Sequence, residues 1–387
     1  MLQKPNSAYF HIPFCSHICY YCDFAKVLMT GQPIDAYIES LIEEFQSFEI
    51  EKLRTIYIGG GTPSVLSAQQ LERLLTAIAE QLNLEALEEF TVEANPGDLS
   101  DEVIKVLADS AVNRISLGVQ TFNNALLKKI GRTHTEAEVY DSVERLKKAG
   151  FENITIDLIY ALPGQTMEMV KSDVERFLEL KLPHVALYSL ILEDHTIFMN
   201  RQRRGLLRLP SEDKNADMYE YIMDILAKNG YNHYEVSNFG LPGFESKHNI
   251  TYWDNEEYYG IGAGASGYLA GVRYKNLGPV HHYLKAAPTE KRVNEEVLSK
   301  KSQIEEEMFL GLRKKSGVLV EKFENKFDCS FENLYGKQIT ELINQKLLYD
   351  DRQRIHMTDK GFELGNNVFE KFLLDDVNFK CYSDELL

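Results

Sequence analysis

Apolar and polar positions in the first half of this chain follow two periods in turn. Short apolar runs read as strands at 9–12, 55–58, 89–92, 114–119, 153–159 and 184–190. Between them the period lengthens to that of a helix. In 34–48, Ile34, Ile38, Leu41, Ile42 and Phe45 share one face. Further helical patterns cover 67–81, 101–110, 135–149 and 167–180, with Ser67 as an N-cap and Gly150 as a C-terminal stop. Alternating strands and helices imply a parallel sheet, in a barrel or doubly wound. In both arrangements the C-terminal ends of the strands carry the chemistry.

The second half is less regular. Residues 268–302, with Pro279, Pro288 and His281-His282, read as a connector. Beyond it, 303–313 and 331–345 are helical, a hairpin spans 348–357, and Thr358 caps a last helix. Helix, helix and hairpin resemble a winged helix. Winged helices often bind DNA, but acids outnumber bases from Lys300 onward, which favours packing or partner contact. The expected division is 1–235, 236–302 and 303–387.

A length of 387 residues suits two or three domains, and 44% hydrophobic residues suffice for sizeable cores. A net charge of −17 repels nucleic acid and anionic membrane surfaces. The first residues lack the apolar stretch of a signal peptide, and no apolar run approaches membrane-spanning length. The expectation is a cytoplasmic protein without an integral membrane segment.

Three of the five cysteines, Cys15, Cys19 and Cys22, form Cys-x3-Cys-x2-Cys just after the first strand. Soft thiolates select Zn, Cu(I) or iron–sulfur clusters. Structural zinc normally takes four protein ligands, whereas a four-iron cubane held by three cysteines keeps one iron open. Cys329 and Cys381 lie far off and read as free thiols. Polar residues and glycines gather where the strands end. They are Gly59-Gly60-Gly61-Thr62-Pro63, Glu93-Ala94-Asn95-Pro96-Gly97, Gln120-Thr121-Phe122, Gly131-Arg132-Thr133-His134, and Asp157 with Leu162-Pro163-Gly164-Gln165 beyond it. Each alone is as often a turn or a solvated loop end. Together, beside a three-thiolate loop, they suit a ligand with hydroxyl, ammonium and carboxylate groups. Gly262-Ala263-Gly264-Ala265-Ser266-Gly267 has the spacing of a dinucleotide loop. However, no buried strand precedes it in 254–259 and no carboxylate occurs after it before Glu290, so that reading is rejected.

With His11-Ile12-Pro13-Phe14 before the cysteines, these motifs resemble radical S-adenosylmethionine proteins, and more narrowly the oxygen-independent coproporphyrinogen III oxidase family. The resemblance implies an α/β fold: a partial (β/α)6 TIM-like barrel with a small C-terminal winged-helix-like α+β domain. It implies a 4Fe–4S cluster on Cys15, Cys19 and Cys22, reduced by an electron donor. It also implies S-adenosylmethionine held by Tyr9, Gly61, Thr62, Glu93, Gln120, Arg132 and Asp157. The family splits, and its oxidase branch carries a further cysteine where this chain has Phe24. His248-Asn249-Ile250-Thr251-Tyr252-Trp253 instead matches the His-Asn-x-x-Tyr-Trp of HemW-type haem chaperones. That branch binds haem and passes it to acceptor haemoproteins, such as respiratory-chain components, which would bring the protein to the membrane periphery. His248 then becomes the axial haem ligand, with Tyr252 and Trp253 against the porphyrin. Outside such a match, a histidine beside aromatics is more often a hydrogen-bonded core or surface residue. The alternatives are an oxidase that decarboxylates porphyrinogen propionates, and a scaffold that binds S-adenosylmethionine without turnover. Arg201-Gln202-Arg203-Arg204 reads as a solvated loop, or as counter-charge for haem propionates.

Overall fold

The computed structural model describes residues 4–374. Strand β1 (Ser7–Ile12) leads into the cysteine loop, whose ends are pinned by a two-strand ribbon of β2 (Phe14–Cys15) and β3 (Val27–Leu28). Helix α1 (Ile34–Ser47) comes next. Strand–helix units then repeat: β4 (Thr55–Gly60) with α2 (Ala68–Gln81), β5 (Glu89–Ala94) with α3 (Asp101–Ala108), and β6 (Arg114–Gln120) with α4 (Asn124–Ile130) and α5 (Glu136–Lys148). After these come β7 (Asn153–Tyr160) with α6 (Met167–Leu180), and β8 (His184–Ser189) with α7 (Ile197–Arg203) and α8 (Glu212–Lys228). Ser67 and Thr135 start their helices with reciprocal capping boxes to Gln70 and Glu138.

The chain returns as β9 (Asn232–Glu235) and β10 (Asn238–Gly240), turns through α9 (Lys247–Trp253), and lays β11 (Tyr259–Ile261) beside β1. The nine-stranded sheet runs β11-β1-β4-β5-β6-β7-β8-β10-β9. All its pairs are parallel except β8–β10 and β10–β9. Ile56, Ile58, Val92, Ile115, Ile154 and Ile156 are buried within the main hydrophobic core. The alternate residues Tyr57, Glu93, Ser116, Thr155, Asp157 and Tyr188 line one cavity. Strands spaced about 4.8 Å apart would hold β4 and β8 roughly 19 Å apart in a flat sheet. Tyr57 and Tyr188 share that cavity because the sheet curls into part of a barrel. Strands β9 and β11 do not pair with each other, so the barrel stays open.

Three expectations need correction. The stretch read as a connector holds an antiparallel sheet of β12 (Ser266–Leu269), β13 (Val272–Asn276) and β14 (Arg292–Val297), with α10 (Val280–Lys285) between the last two. Strand β14 is mostly solvent-exposed and carries no alternation of burial to read. A buried strand, β11, does precede Gly262, but three residues are too few to show a period. The next element is strand β12, where a dinucleotide site would place a helix. The basic cluster is the end of helix α7, not a loop. The main sheet also draws on residues beyond 235, through β10 and β11.

The C-terminal part has its own core, including Met308, Phe323, Tyr335 and Met357. It runs α11 (Lys300–Gly311), β15 (Val318–Leu319), α12 (Val320–Phe327), α13 (Phe331–Asn344), β16 (Leu348–Asp350), β17 (Arg354–Met357) and α14 (Asp359–Glu363). Helix, helix and hairpin occur in the expected order. Among the described residues no helix is long and apolar enough to cross a membrane. Cys329 is a free thiol, and Cys381 lies outside the described residues.

Candidate functional site

A cavity of about 380 Å³ runs from the cysteine loop along the concave face of the sheet. Cys15, Cys19, Cys22, Gly61, Thr62, Glu93, Gln120, Arg132 and Asp157 all line it. The turn after β4 brings the backbone in close. A Cβ on Gly61 would stand 2.6 Å from the Phe14 carbonyl, and one on Gly60, at φ +115°, 2.4 Å from the His11 ring. Gln120 sits at a bulge in β6 with φ +68°, a left-handed conformation rare outside glycine. The loop beyond it is tied down by Asp173 of α6, which accepts from Thr121 Oγ1 at 2.8 Å and Phe122 N at 2.8 Å.

Arg132 reaches into the cavity from beyond α4. It donates to Asn95 Oδ1 at 2.6 Å, to the Gly118 carbonyl, and to Cys19 Sγ at 3.6 Å. Its Nε is buried with no acceptor among the described residues. Burial pushes the Cys19 thiol up, but His17 and Arg132 outweigh it and bring it down to about 7. Burial pushes Cys15 up to about 11 and raises Cys22. Glu93 accepts from Tyr57 Oη at 2.7 Å and Gly60 N at 3.1 Å, and burial raises its pKa. Asp157 accepts from Ser116 Oγ at 3.2 Å, and burial, then the charge of Glu93, pushes it up to about 7.

These donors fit the implied cofactors. Among the described residues no three His, Cys, Asp or Glu side chains close on one point as the ligands of a single ion would. A cubane is wider than an ion, and each of its irons takes its own cysteine, so a triad spread along one cavity suits it. The orphan Arg132 Nε suits a ligand carboxylate. Glu93, an acid without an ion-pair partner among the described residues, suits an ammonium, and Asp157 suits ribose hydroxyls. Asn95 stands in the strand-end run 93–97, but the sequence alone assigns it no individual role. It links Arg132 to Thr62 Oγ1 (3.0 Å) and lies two residues past Glu93, the spacing of one strand face.

Tyr9 and His248 lie elsewhere. They line a neighbouring cavity of about 430 Å³ with Tyr252 and Tyr258, and it shares Phe24, Tyr57 and Glu93 with the first. Tyr9 Oη is hydrogen-bonded to His11 Nδ1 at 2.9 Å. His248 is fully buried, and both ring nitrogens are engaged: Nδ1 with Thr55 Oγ1 at 2.9 Å and Nε2 with Tyr252 Oη at 2.8 Å. Burial, then the charge of Arg54, lowers its pKa to about 3. Trp253 is not in that wall; Arg313 of the C-terminal domain lies over its ring, 5.3 Å from the centroid. Helix α9 is held at both ends. At its start, Glu89 accepts from Lys247 N (2.8 Å) and His248 N (3.1 Å). At its end, Asp254 pairs with Lys314 and Asn255 Nδ2 donates to Glu307 Oε2 at 3.2 Å.

A curled parallel sheet with three cysteines over the tops of its strands defines the radical S-adenosylmethionine class, and residues 9–177 match the Radical SAM superfamily. Residues 298–364 match the HemN C-terminal domain. The chain is 97% identical over 379 residues to the heme chaperone HemW of Lactococcus lactis subsp. lactis (strain IL1403), covering 98% of this chain and 100% of that one. It is 45% identical to the heme chaperone HemW of Bacillus subtilis (strain 168), covering 95% and 99%. The chain belongs to the HemW family. In fold it resembles the solved structure of the Escherichia coli coproporphyrinogen III oxidase HemN, a radical SAM enzyme. The TM-score is 0.82 at 23% identity, over 96% of this chain and 90% of that one.

Proposed function

We propose that this protein is a haem chaperone. Its barrel holds a 4Fe–4S cluster on Cys15, Cys19 and Cys22 with S-adenosylmethionine beside it. Haem binds in the adjoining aromatic cavity and leaves for acceptor haemoproteins. When bound, the cluster supplies a single electron, taken from an external donor, to S-adenosylmethionine. Arg132 orients the ligand carboxylate, Glu93 its ammonium and Asp157 its ribose. Phe24, 63% exposed, stands at the rim of both cavities where a thiol would add a further ligand or proton donor.

The observation that carries the haem reading is His248. Its low pKa keeps the imidazole neutral at physiological pH, the form that ligates iron. It sits in a wall of tyrosines. Ligation through Nε2 requires the Tyr252 hydroxyl to move aside, a hydrogen bond worth about 1 kcal/mol. Spectral titration of anaerobic, cluster-loaded protein with haem tests this. His248→Ala should lose haem or change its absorption spectrum, and Trp253→Phe should change little. A His248→Ala spectrum and affinity equal to wild type would remove His248 as the ligand.

A further inference from the structure

Tyr57 and Glu93, with Asp23, Phe24, Gly60 and Asn249, line both the S-adenosylmethionine cavity and the haem cavity. Tyr57 Oη donates to Glu93 Oε1 at 2.7 Å. The centroid of the same ring lies 5.2 Å from that of the His248 ring, the planes inclined at 30°. His248 continues to Tyr252 at 5.0 Å, and Tyr252 to Tyr258 at 4.7 Å. The contact between Tyr57 and Glu93 passes over Gly59. A Cβ there would come within 2.8 Å of both Glu93 Cδ and Tyr57 Cε1, so only glycine leaves room for it. Mere strand support would not need a half-buried acid without an ion-pair partner among the described residues at this place.

We propose that Tyr57 is a positioning residue through which occupancy of the S-adenosylmethionine cavity sets the haem affinity of the cavity next to it. The inference rests on the haem chaperone reading. Without a cation at Glu93, burial raises its pKa and disfavours its charge. A ligand ammonium there compensates that charge and fixes the carboxylate in place. The bond from Tyr57 Oη to that carboxylate, charge-assisted, is then held with it. A held Tyr57 fixes the wall on which His248 packs. Haem then meets a cavity already ordered, and the ordering cost leaves its binding free energy. The coupling is therefore positive. By linkage, haem must tighten S-adenosylmethionine by the same factor.

The test uses anaerobic, cluster-loaded full chain without reductant, so that nothing turns over. Haem is titrated by absorbance with and without saturating S-adenosylmethionine. In the wild type the haem Kd should fall about fivefold or more when S-adenosylmethionine is present. Tyr57→Phe keeps the ring and deletes the hydroxyl. It should bind both ligands with a Kd ratio close to one, at unchanged iron content. Should that variant fail to hold its cluster, Gly59→Ala breaks the same contact from the other side and should also bring the ratio towards one. Haem binding by the wild type that ignores S-adenosylmethionine overturns the inference alone, as does a Tyr57→Phe ratio equal to wild type. If wild type binds no haem in either condition, the chaperone reading falls and this inference with it.

Discussion

Single residues divide into those whose role can be read locally and those whose partner is distant in sequence. The three cysteines are of the first kind: their spacing within one loop suffices to gather thiolates. Reconstitution without oxygen should give about four irons per chain. Cys15→Ala, Cys19→Ala and Cys22→Ala should each abolish this, and Cys329→Ala should not, as iron and sulfide analysis would show. Stoichiometric zinc without iron would refute the assignment. Phe24 carries a separate expectation. Reduced, cluster-loaded protein should release no carbon dioxide from coproporphyrinogen III, and release at a catalytic rate would restore the oxidase reading. Tyr57 is of the second kind. In sequence it is one more large residue in a strand, and its acceptor lies 36 residues on. His248 lies between: the motif marked it, but nothing local showed that Thr55 and Tyr252 already hold both its nitrogens.

Most elements with a full period were legible, α8 with its 17 residues being the exception, and those too short or too exposed were not. The six parallel strands and the five helices read between them begin and end within about two residues of the reading from pattern alone, whereas α4 was not read. Strands β11 and β14 escaped it, one by brevity and the other by exposure. Yet β11 is tightly specified. A Cβ on Gly260 would stand 1.9 Å from the Ser266 carbonyl oxygen, so Gly260→Ala should unseat this edge and lower the midpoint of chemical denaturation markedly. The bulge ending β6 depends on α6. Replacing Asp173 with alanine leaves the buried Phe122 amide and Thr121 hydroxyl without their acceptor. Each stranded group costs about 1–3 kcal/mol, so Asp173→Ala should lose about 3 kcal/mol in urea unfolding. Loss below 1 kcal/mol would mean that the loop carrying Gln120 is held by something else.

Buried ionisable groups set the pH response of the whole molecule. Burial raises Asp157 and Glu235 to about 7 and Asp173 to about 6. Unfolded carboxyls titrate near 4, so the folded state binds these protons more tightly. Their contribution is full below about pH 4 and is lost as pH rises through 6 to 7. Burial lowers His248 and His134 to about 3 and His233 to about 4. That contribution is full above the unfolded value near 6.5 and is lost as pH falls towards 4. The Tm of the ligand-free protein should thus rise from pH 8 to about 6.5 and fall again towards pH 5. Asp157→Asn should flatten the upper limb, and a calorimetric Tm that rises steadily to pH 8 would contradict it. The clamp on α9 has a dynamic consequence. A seven-residue helix is marginal in water by itself. One end of this one is tied to the barrel through Glu89, the other to the C-terminal domain through Lys314 and Glu307. Its amide protons should therefore trade for deuterium only when the two bodies part, in step with the slow central strands. Arg313→Ala, which frees Trp253, should let 247–253 exchange early while β6 keeps its protection.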